Sequence, residues 1–515
     1  MKRRIEFFKS GLILTAVGLS LRTVGMFFGA FITRTIGAEG IGLYTVIMTV
    51  YSFAITFATS GISLTVTRLV AGAIGEGKEW QIGRILKAAV LYSLGFGALA
   101  TVLLLVGAEI ISAAVLSEAG AASALRILAL SLIPVSLCSV FSGYFVGVKR
   151  VRFNAAAQVI SQLFKIGITV VLIARLSNSG AVRCVVALCL GITVTEAATL
   201  LLIFLEYILD RRKYGKRSKD IVRGQGRQVM GAAIPLAISA YFRSVLTTAE
   251  HILIPKRLMS RGEGSSEAYA HYGILHGMAL PLVLYPMAPL SSFSGLLVPE
   301  FAEDSAGGNI KRMERIASEA LNTTLVYAAL ASVILFVFSE ELGYAVYGSY
   351  DAGRFIAILA LIVPIMYLDH VTDGILKGIG EQVYSMWVNI TDALLSLILV
   401  YFLIPPLGIF GYAVVIVVME GYNFLCSAAR LRKRINLRID IVGSAAVPAA
   451  VAIVAAKLAD NLMPSVTGSG FALWLFLKTV LAISLFLAIF TLVHIVGRHK
   501  GGFGRKGTRS NTKAR

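Results

Sequence analysis

Apolar residues run in long unbroken stretches along most of the chain, and charge gathers in the short stretches between them. Runs of spanning length fall at about 11–33, 41–72, 84–108, 124–147, 153–175 and 183–209. After a hydrophilic loop they resume at about 229–254, 270–298, 317–339, 354–376, 383–404, 408–430, 440–459 and 471–497. Roughly 20 apolar residues cross the hydrocarbon core as a helix, so the pattern predicts an all-α polytopic membrane protein with about 14 transmembrane helices. The runs at 41–72 and 270–298 are longer than one crossing needs, and tilt or breaks are expected at Gly61, Pro281 and Pro286.

Composition agrees with that class. Of 515 residues, 57% are hydrophobic and 15% charged, where a soluble chain carries about a quarter charged. Cys138, Cys184, Cys189 and Cys426 all fall inside apolar runs, without zinc spacing or the look of a disulfide framework. The first run is too long for a cleaved signal and reads as a first spanning helix.

The net charge of +20 raises nucleic acid as a partner, but its placement argues for a membrane instead. With the N-terminus in the cytoplasm, 34 Lys and Arg fall on that side of the spans. The other side holds six: Arg34, Arg175, Arg183, Lys256, Arg257 and Arg261. The positive-inside rule then puts both termini in the cytoplasm of a plasma-membrane protein. The tail RHKGGFGRKGTRSNTKAR serves as a topology signal and a contact for anionic membrane lipids.

The loop from Asp210 to Gln228 separates two lobes of six spans each. They are an N-terminal lobe, 1–228, and a C-terminal lobe, 229–438, followed by two further spans and the basic tail in 439–515. GYFVGVKRVRFNAAAQVISQLFKIGITVVLI aligns with GILKGIGEQVYSMWVNITDALLSLILVYFLI. The alignment pairs Gly147 with Gly378, Phe153 with Tyr384, Gln158 with Asn389, Ser161 with Asp392 and Lys165 with Ser396. A helix with an early proline, Pro134 or Pro364, precedes each stretch. Both aligned turns lie on one side of the membrane, so the halves form a parallel repeat of the kind that rocks around a central site.

Charges inside the spans locate the candidate chemistry. Gln158, Gln162 and Lys165 recur at i, i+4 and i+7 and share one helical face. Lys165 lies about 20 Å beyond Arg152, too deep for easy snorkelling. A lysine there costs about 2.5–3.5 kcal/mol, so it faces water, a ligand or a partner, or is neutralised by a carboxylate or backbone carbonyls. The first half carries Arg22, Arg68, Lys165 and Glu196 and is mainly cationic. The second carries Arg243, Glu250, Asp369, Asp373, Asp392 and Glu420 and is mainly anionic. Gly18, Gly25 and Gly29 around Arg22 allow a helix or a ligand to approach closely. The planar guanidinium suits phosphate oxygens, so Arg22 and Lys165 on facing spans would make a pyrophosphate site. An ion pair between Arg22 and Glu196 is the alternative. Arg68, near the end of its span, either snorkels or joins that site.

Arg243, Thr247 and Glu250 form another polar face, on which Glu250 either holds an ion or neutralises Arg243. Asp369 and Asp373 share a face near a span end, where solvation suffices for them. His251 and His276 are the only histidines near polar intramembrane faces, and neither has ligand spacing. The chain contains no GxxxxGK[ST], HExxH or GxSxG pattern, and it is not expected to be an enzyme.

Several stretches resemble a known family. LRTVGMFFGAFITRTIGAEGIGLY resembles the first span of polysaccharide flippases in the multidrug/oligosaccharidyl-lipid/polysaccharide superfamily. IPVSLCSVFSGYFVGVKRVRFNAAAQVISQLFKI and HYGILHGMALPLVLYPMAPLSSFSGLLVPEFAEDSAGGN are similar to the stage V sporulation protein B branch, itself related to the lipid II flippases. The resemblance implies a V-shaped transporter of two six-helix lobes with two additional helices. It implies export of an undecaprenyl-pyrophosphate-linked saccharide by alternating access, the saccharide being a peptidoglycan precursor or a polysaccharide unit. Arg22 matches the arginine that lipid II flippases carry in this span. Their second arginine, two turns on, is replaced here by Phe28 and Gly29, so Lys165 or Arg68 would supply that charge.

On this reading Arg22, Lys165, Gln162, Gln158, Arg68 and Arg243 contact the substrate. Some relatives hold a cation between spans 7, 11 and 12, where Glu250, Asn389 and Asp392 lie; they are the coupling-ion candidates for Na+ or H+. No other cofactor is expected. The partners are the lipid-linked saccharide, membrane lipids and cell-wall synthesis proteins, with no nucleic acid. Two other functions stay open. A cation-coupled exporter of small organic cations would need an acidic cavity. A non-transporting scaffold of a cell-wall synthesis complex would leave Arg22 and Lys165 as buried ion pairs.

Overall fold

A computed structural model of the chain describes residues 2–59, 61–116, 120–148, 150–176, 180–211, 225–463 and 470–504. Its regular elements are helical throughout. The first apolar runs form α1 (Lys2–Thr59), which turns at Gly37, where φ is 74°. Only glycine adopts that backbone without a steric penalty, so one residue turns the chain between two helical stretches. α2 (Ile62–Gly75) follows Gly61, also left-handed, and the break foreseen in the 41–72 run falls there. Then come α3 (Ile82–Ile110), α4 (Ala121–Ala129), α5 (Leu132–Gly147), α6 (Val151–Leu176) and α7 (Ala181–Arg211). Beyond the long basic loop, whose residues 212–224 lie outside the described residues, is α8 (Gln225–Ser260).

The 270–298 run is interrupted as expected near its prolines. α9 (Ser265–Tyr272) passes into a π-helical stretch, Gly273–Ala279, then α10 (Leu280–Leu284), a 3-10 turn, Tyr285–Met287, and α11 (Ala288–Ala306). The remainder is α12 (Ile310–Val337), α13 (Ser339–Tyr347), α14 (Tyr350–Ala360), α15 (Val363–Gly378), α16 (Gln382–Leu407), α17 (Ile409–Arg432), α18 (Val447–Leu462) and α19 (Phe471–Gly504). Among the described residues ten helices are long and apolar enough to cross a membrane, or twelve if the bent pairs α4–α5 and α14–α15 each make one span. One of the ten, 20–74, has the length of two crossings. α8 has 36 residues, with Arg243, Glu250 and His251 along its length.

The contacts group the chain into two compact units, residues 1–277 with 389–415 and residues 278–388 with 416–515. In the first, Ile62, Val66 and Val70 of α2 pack with Ile85, Leu86, Tyr144 and Phe145 of α3 and α5. Glycines permit this approach: a Cβ on Gly143 would lie 2.5 Å from the Ser63 carbonyl oxygen, and one on Gly147 would lie 2.9 Å from Val70 Cβ. In the second unit Gly374 meets Ser294, and a Cβ on Gly378 would lie 2.7 Å from Phe301 Cβ and 2.9 Å from the Val298 carbonyl oxygen.

These two packings occupy matching positions of the aligned repeat. The offset from Gly147 to Gly378 also carries Gly143 to Gly374, Ser63 to Ser294 and Val70 to Phe301. It carries α5 onto α15 and α6 onto α16 at both ends, end for end. Gly378→Leu is therefore expected to destabilise the protein by about 1–3 kcal/mol through overpacking. A thermal midpoint in detergent unchanged from wild type would contradict that packing.

The turn after each bent pair is held by ions of opposite polarity. Arg150 pairs with buried Asp210 at the end of α7, and Tyr144 donates to the same carboxylate at 2.8 Å. At the matching position in the second unit Glu381 accepts from Arg430 at 2.8 Å and from Arg434 at 2.6 Å. The Arg430 guanidinium also lies 5.0 Å from the centre of the Tyr384 ring. Hydrogen bonds from Arg430 foremost, and from Arg434, hold the Glu381 carboxyl below the usual carboxylate range. A depressed folded-state pKa contributes stability that is complete above the unfolded value of about 4.3 and is lost as pH falls through the lower folded value. Glu381→Gln should thus lower the thermal midpoint at neutral pH, with the difference from wild type shrinking below about pH 4. An equal difference at both pH values would contradict the clamp.

α19 is anchored in the second unit by Lys478, a charge that hydropathy alone does not reveal as paired. Its side chain is 1% exposed and reaches Glu341 at 2.9 Å and Asp460 at 2.5 Å. Phe338 and Trp474 cover it, with ring centres at 4.8 and 4.5 Å. A buried ammonium is tolerable only with such partners.

Candidate functional site

The residues singled out for substrate and ion all belong to the first compact unit. Apart from Arg68 on α2, they lie on two helix pairs, α1 with α6 and α8 with α16.

The first pair is cationic. A Cβ on Gly25 would lie 3.7 Å from Gln162 Nε2, so the absence of a side chain lets α1 rest against the amide face of α6. Arg22 lies one turn before Gly25 and projects from the same side of α1. It is exposed, and among the described residues it makes no ion pair. The alternative of an Arg22–Glu196 bridge is therefore not realised. Lys165 is half-buried one turn beyond Gln162. Thr199 donates to Ser161 at 2.8 Å across α6 and α7, which brings Lys165 level with Glu196 on the antiparallel neighbour. The two charges interact electrostatically without a direct ion pair. Gln158 is exposed and continues this face. Such a face can donate to an anion from the Arg22 fork, from two amides and from an ammonium.

The second pair is anionic. Ser396, the counterpart of Lys165 in the repeat, donates to Glu250 Oε1 at 2.6 Å. Asp392 lies one turn before Ser396 and acts electrostatically on Glu250. Asn389, Asp392 and Ser396 fall at i, i+3 and i+7, so they share the face of α16 that meets α8. Two carboxylates and an amide gathered at membrane depth suit a monovalent cation or a shared proton. The C-terminal ends of α8 and α16 are pinned as well: Arg257 Nε donates to the Tyr401 carbonyl at 3.2 Å and Arg261 Nη1, just beyond α8, to that of Pro406 at 3.1 Å. These contacts account for α8 running past the 229–254 stretch.

Other candidates are spread out. Arg68 is exposed on α2, where its neighbour Thr67 donates to the Gly143 carbonyl at 3.0 Å. Arg243 is exposed on α8, next to Ser244, which is 3.5 Å from Thr56 of α1. Among the described residues neither arginine forms an ion pair, so Arg243 does not neutralise Glu250. Asp373, in the other unit, pairs with Lys377 at 2.5 Å. All four cysteines are free thiols. Sequence spacing missed the meeting of His251 with His276: their ring centres are 4.4 Å apart, brought together by the turn after α8.

Comparison with known proteins agrees with this fold. The sequence profile described as polysaccharide biosynthesis protein matches residues 7–304, and that described as MatE matches residues 276–402. The chain is 26% identical to stage V sporulation protein B of Bacillus subtilis (strain 168) over 441 residues, 84% of this chain and 85% of that protein. It is 19% identical to sporulation protein YkvU of the same organism over 452 residues, 86% of this chain and 99% of that one. Among solved structures, the lipid II flippase MurJ in an inward closed conformation superposes with a TM-score of 0.69 at 15% identity, covering 94% of this chain and 98% of MurJ. An inward-facing multidrug resistance MATE family transporter of the MOP superfamily superposes with a TM-score of 0.67 at 16% identity, covering 81% and 98%. The fold is the multi-pass membrane fold of these transporters, and the profile matching more than half of the residues places this chain in the polysaccharide biosynthesis protein family.

Proposed function

We propose that this protein is a flippase that carries an undecaprenyl-pyrophosphate-linked saccharide across the plasma membrane by alternating access. The observation that carries the reading is the cationic face of α1 and α6, where Arg22 stands without a described counterion one turn from the contact of Gly25 with Gln162. A pyrophosphate supplies the missing negative charge, and the amides offer hydrogen bonds to phosphate or sugar. The relatives named above as a lipid II flippase and a stage V sporulation protein point the same way. The assay is movement of such donors in proteoliposomes.

The proposal includes fourteen crossings, with 1–228 and 229–438 as the two halves of the repeat and 439–515 as an addition. Glu250, Asn389 and Asp392 are its coupling-ion residues, with Na+ or H+ as the ion. It also places both termini in the cytoplasm. A reporter fused after Gly215 should read as cytoplasmic and one near Gly262 as external, on the 34-to-6 asymmetry of basic residues. Two reporters on one side would refute the topology.

A second reading, export of small organic cations, draws on the paired carboxylates Glu250 and Asp392 and on the MatE match over 276–402. It predicts transport of cationic dyes that survives Arg22→Ala.

A further inference from the structure

The geometry points to His276 as a proton-binding site, through which the transport cycle exchanges H+ across the membrane. This rests on the transport reading above and names its coupling ion. His276 lies in the π-helical stretch Gly273–Ala279, and short π-helical segments inside α-helices frequently mark functional sites.

A ring of polar aromatic groups surrounds it. The His251 ring of α8 is 4.4 Å away between centres, and the Tyr272 ring stacks on it at 5.2 Å with an interplanar angle of 7°. Tyr412 OH of α17 is 3.4 Å from His276 Nδ1, and Tyr272 OH is 3.0 Å from His251 Nδ1. From α1, Gly277 meets Ile41 and Thr45, which carry no charge, and Thr49 is hydrogen-bonded to Tyr272. Beyond the ring lie the carboxylates Glu250, which acts electrostatically on both Tyr272 and Tyr412, and Asp392 of α16, which acts on Glu250.

A packed core has no use for two imidazoles in contact, since an apolar pair of the same volume carries no hydrogen-bond demand. Both residues are half-buried. The step is minimal. Neutral His276 gains one proton at its open ring nitrogen on one side of the membrane and returns it from that nitrogen on the other. Only that N–H bond forms and breaks. A charge on His276 would face its two phenols and, through them, Glu250, so protonation changes the electrostatic balance where α8, α16 and α17 meet.

The test uses the full chain in phospholipid nanodiscs with isotopically labelled histidine. Of the six histidine signals, the one lost in His276→Gln should change protonation state as the pH is lowered across the range in which the protein stays folded. Its midpoint should move in Tyr412→Phe, which keeps the imidazole and serves should His276→Gln fail to fold. A His276 signal fixed in one state over that range would overturn the inference. In proteoliposomes, an imposed pH difference should drive movement of a pyrophosphate-linked donor by wild type, and His276→Gln should lose that response. An equal response in both would also overturn it. If wild type moves no donor at all, the flippase reading fails, and the titration alone decides whether His276 binds a proton.

Discussion

Arg22→Ala abolishes movement of a pyrophosphate-linked saccharide while the protein still folds and inserts. The guanidinium is exposed, and no described carboxylate neutralises it, so its removal leaves no orphaned partner in the fold. It does remove a charge-assisted donor worth about 1.5–3 kcal/mol to a bound phosphate. That corresponds to roughly ten- to hundred-fold in affinity, on a step that must also be rapid. Lys165→Ala has a similar effect with a distinguishing side consequence, since it also leaves Glu196 without its electrostatic partner. Arg22→Lys rescues only in part, because an ammonium keeps the charge and loses the two-pronged geometry. Transport at the wild-type rate by Arg22→Ala would remove the cationic face from the mechanism.

Glu250→Gln keeps substrate binding and loses the response of transport to an ion gradient. The amide can still accept from Ser396, so the bond at 2.6 Å between α16 and α8 has a replacement. What disappears is one of two carboxylates whose mutual repulsion a cation or a proton relieves. Asp392→Asn should act alike. A purely structural role predicts otherwise: were Glu250 present only to balance Arg243, an Arg243→Glu/Glu250→Arg exchange would restore gradient-driven transport. Full activity of that double variant would count against the ion site. Loss of activity is expected, because Arg243 and Glu250 form no ion pair.

Much of this arrangement was legible before any coordinates. Long apolar runs translate into helices because lipid leaves the backbone no other donors or acceptors, and Gly61 breaks its run because glycine tolerates a left-handed turn. The alignment of Lys165 with Ser396 anticipated that α6 and α16 have matching bounds. Contacts between residues remote in sequence were not legible. Nothing in the spacing of Lys478, Glu341 and Asp460 announces a buried three-way pairing. His251 and His276 are too far apart for any helical periodicity, and they meet only through tertiary contact of α8 with the π-helical stretch Gly273–Ala279. The competing pairings of Arg22 with Glu196 and of Arg243 with Glu250 were equally consistent with composition. Helix register decided between them, since it sets Gly25 against Gln162 and Glu250 against Ser396.

The central claim is that a cationic face on α1 and α6 carries a pyrophosphate-linked saccharide across the bilayer. It is tested most directly in proteoliposomes holding wild type or Arg22→Ala, loaded with a defined undecaprenyl-pyrophosphate-linked donor on one leaflet. The readout is the fraction of head groups that become accessible to a membrane-impermeant enzyme on the other side. Wild type should expose the donor at a rate well above protein-free vesicles, Arg22→Ala should not exceed that background, and a cationic dye should not move. Donor movement equal in wild type and Arg22→Ala, or dye movement without donor movement, would contradict the account.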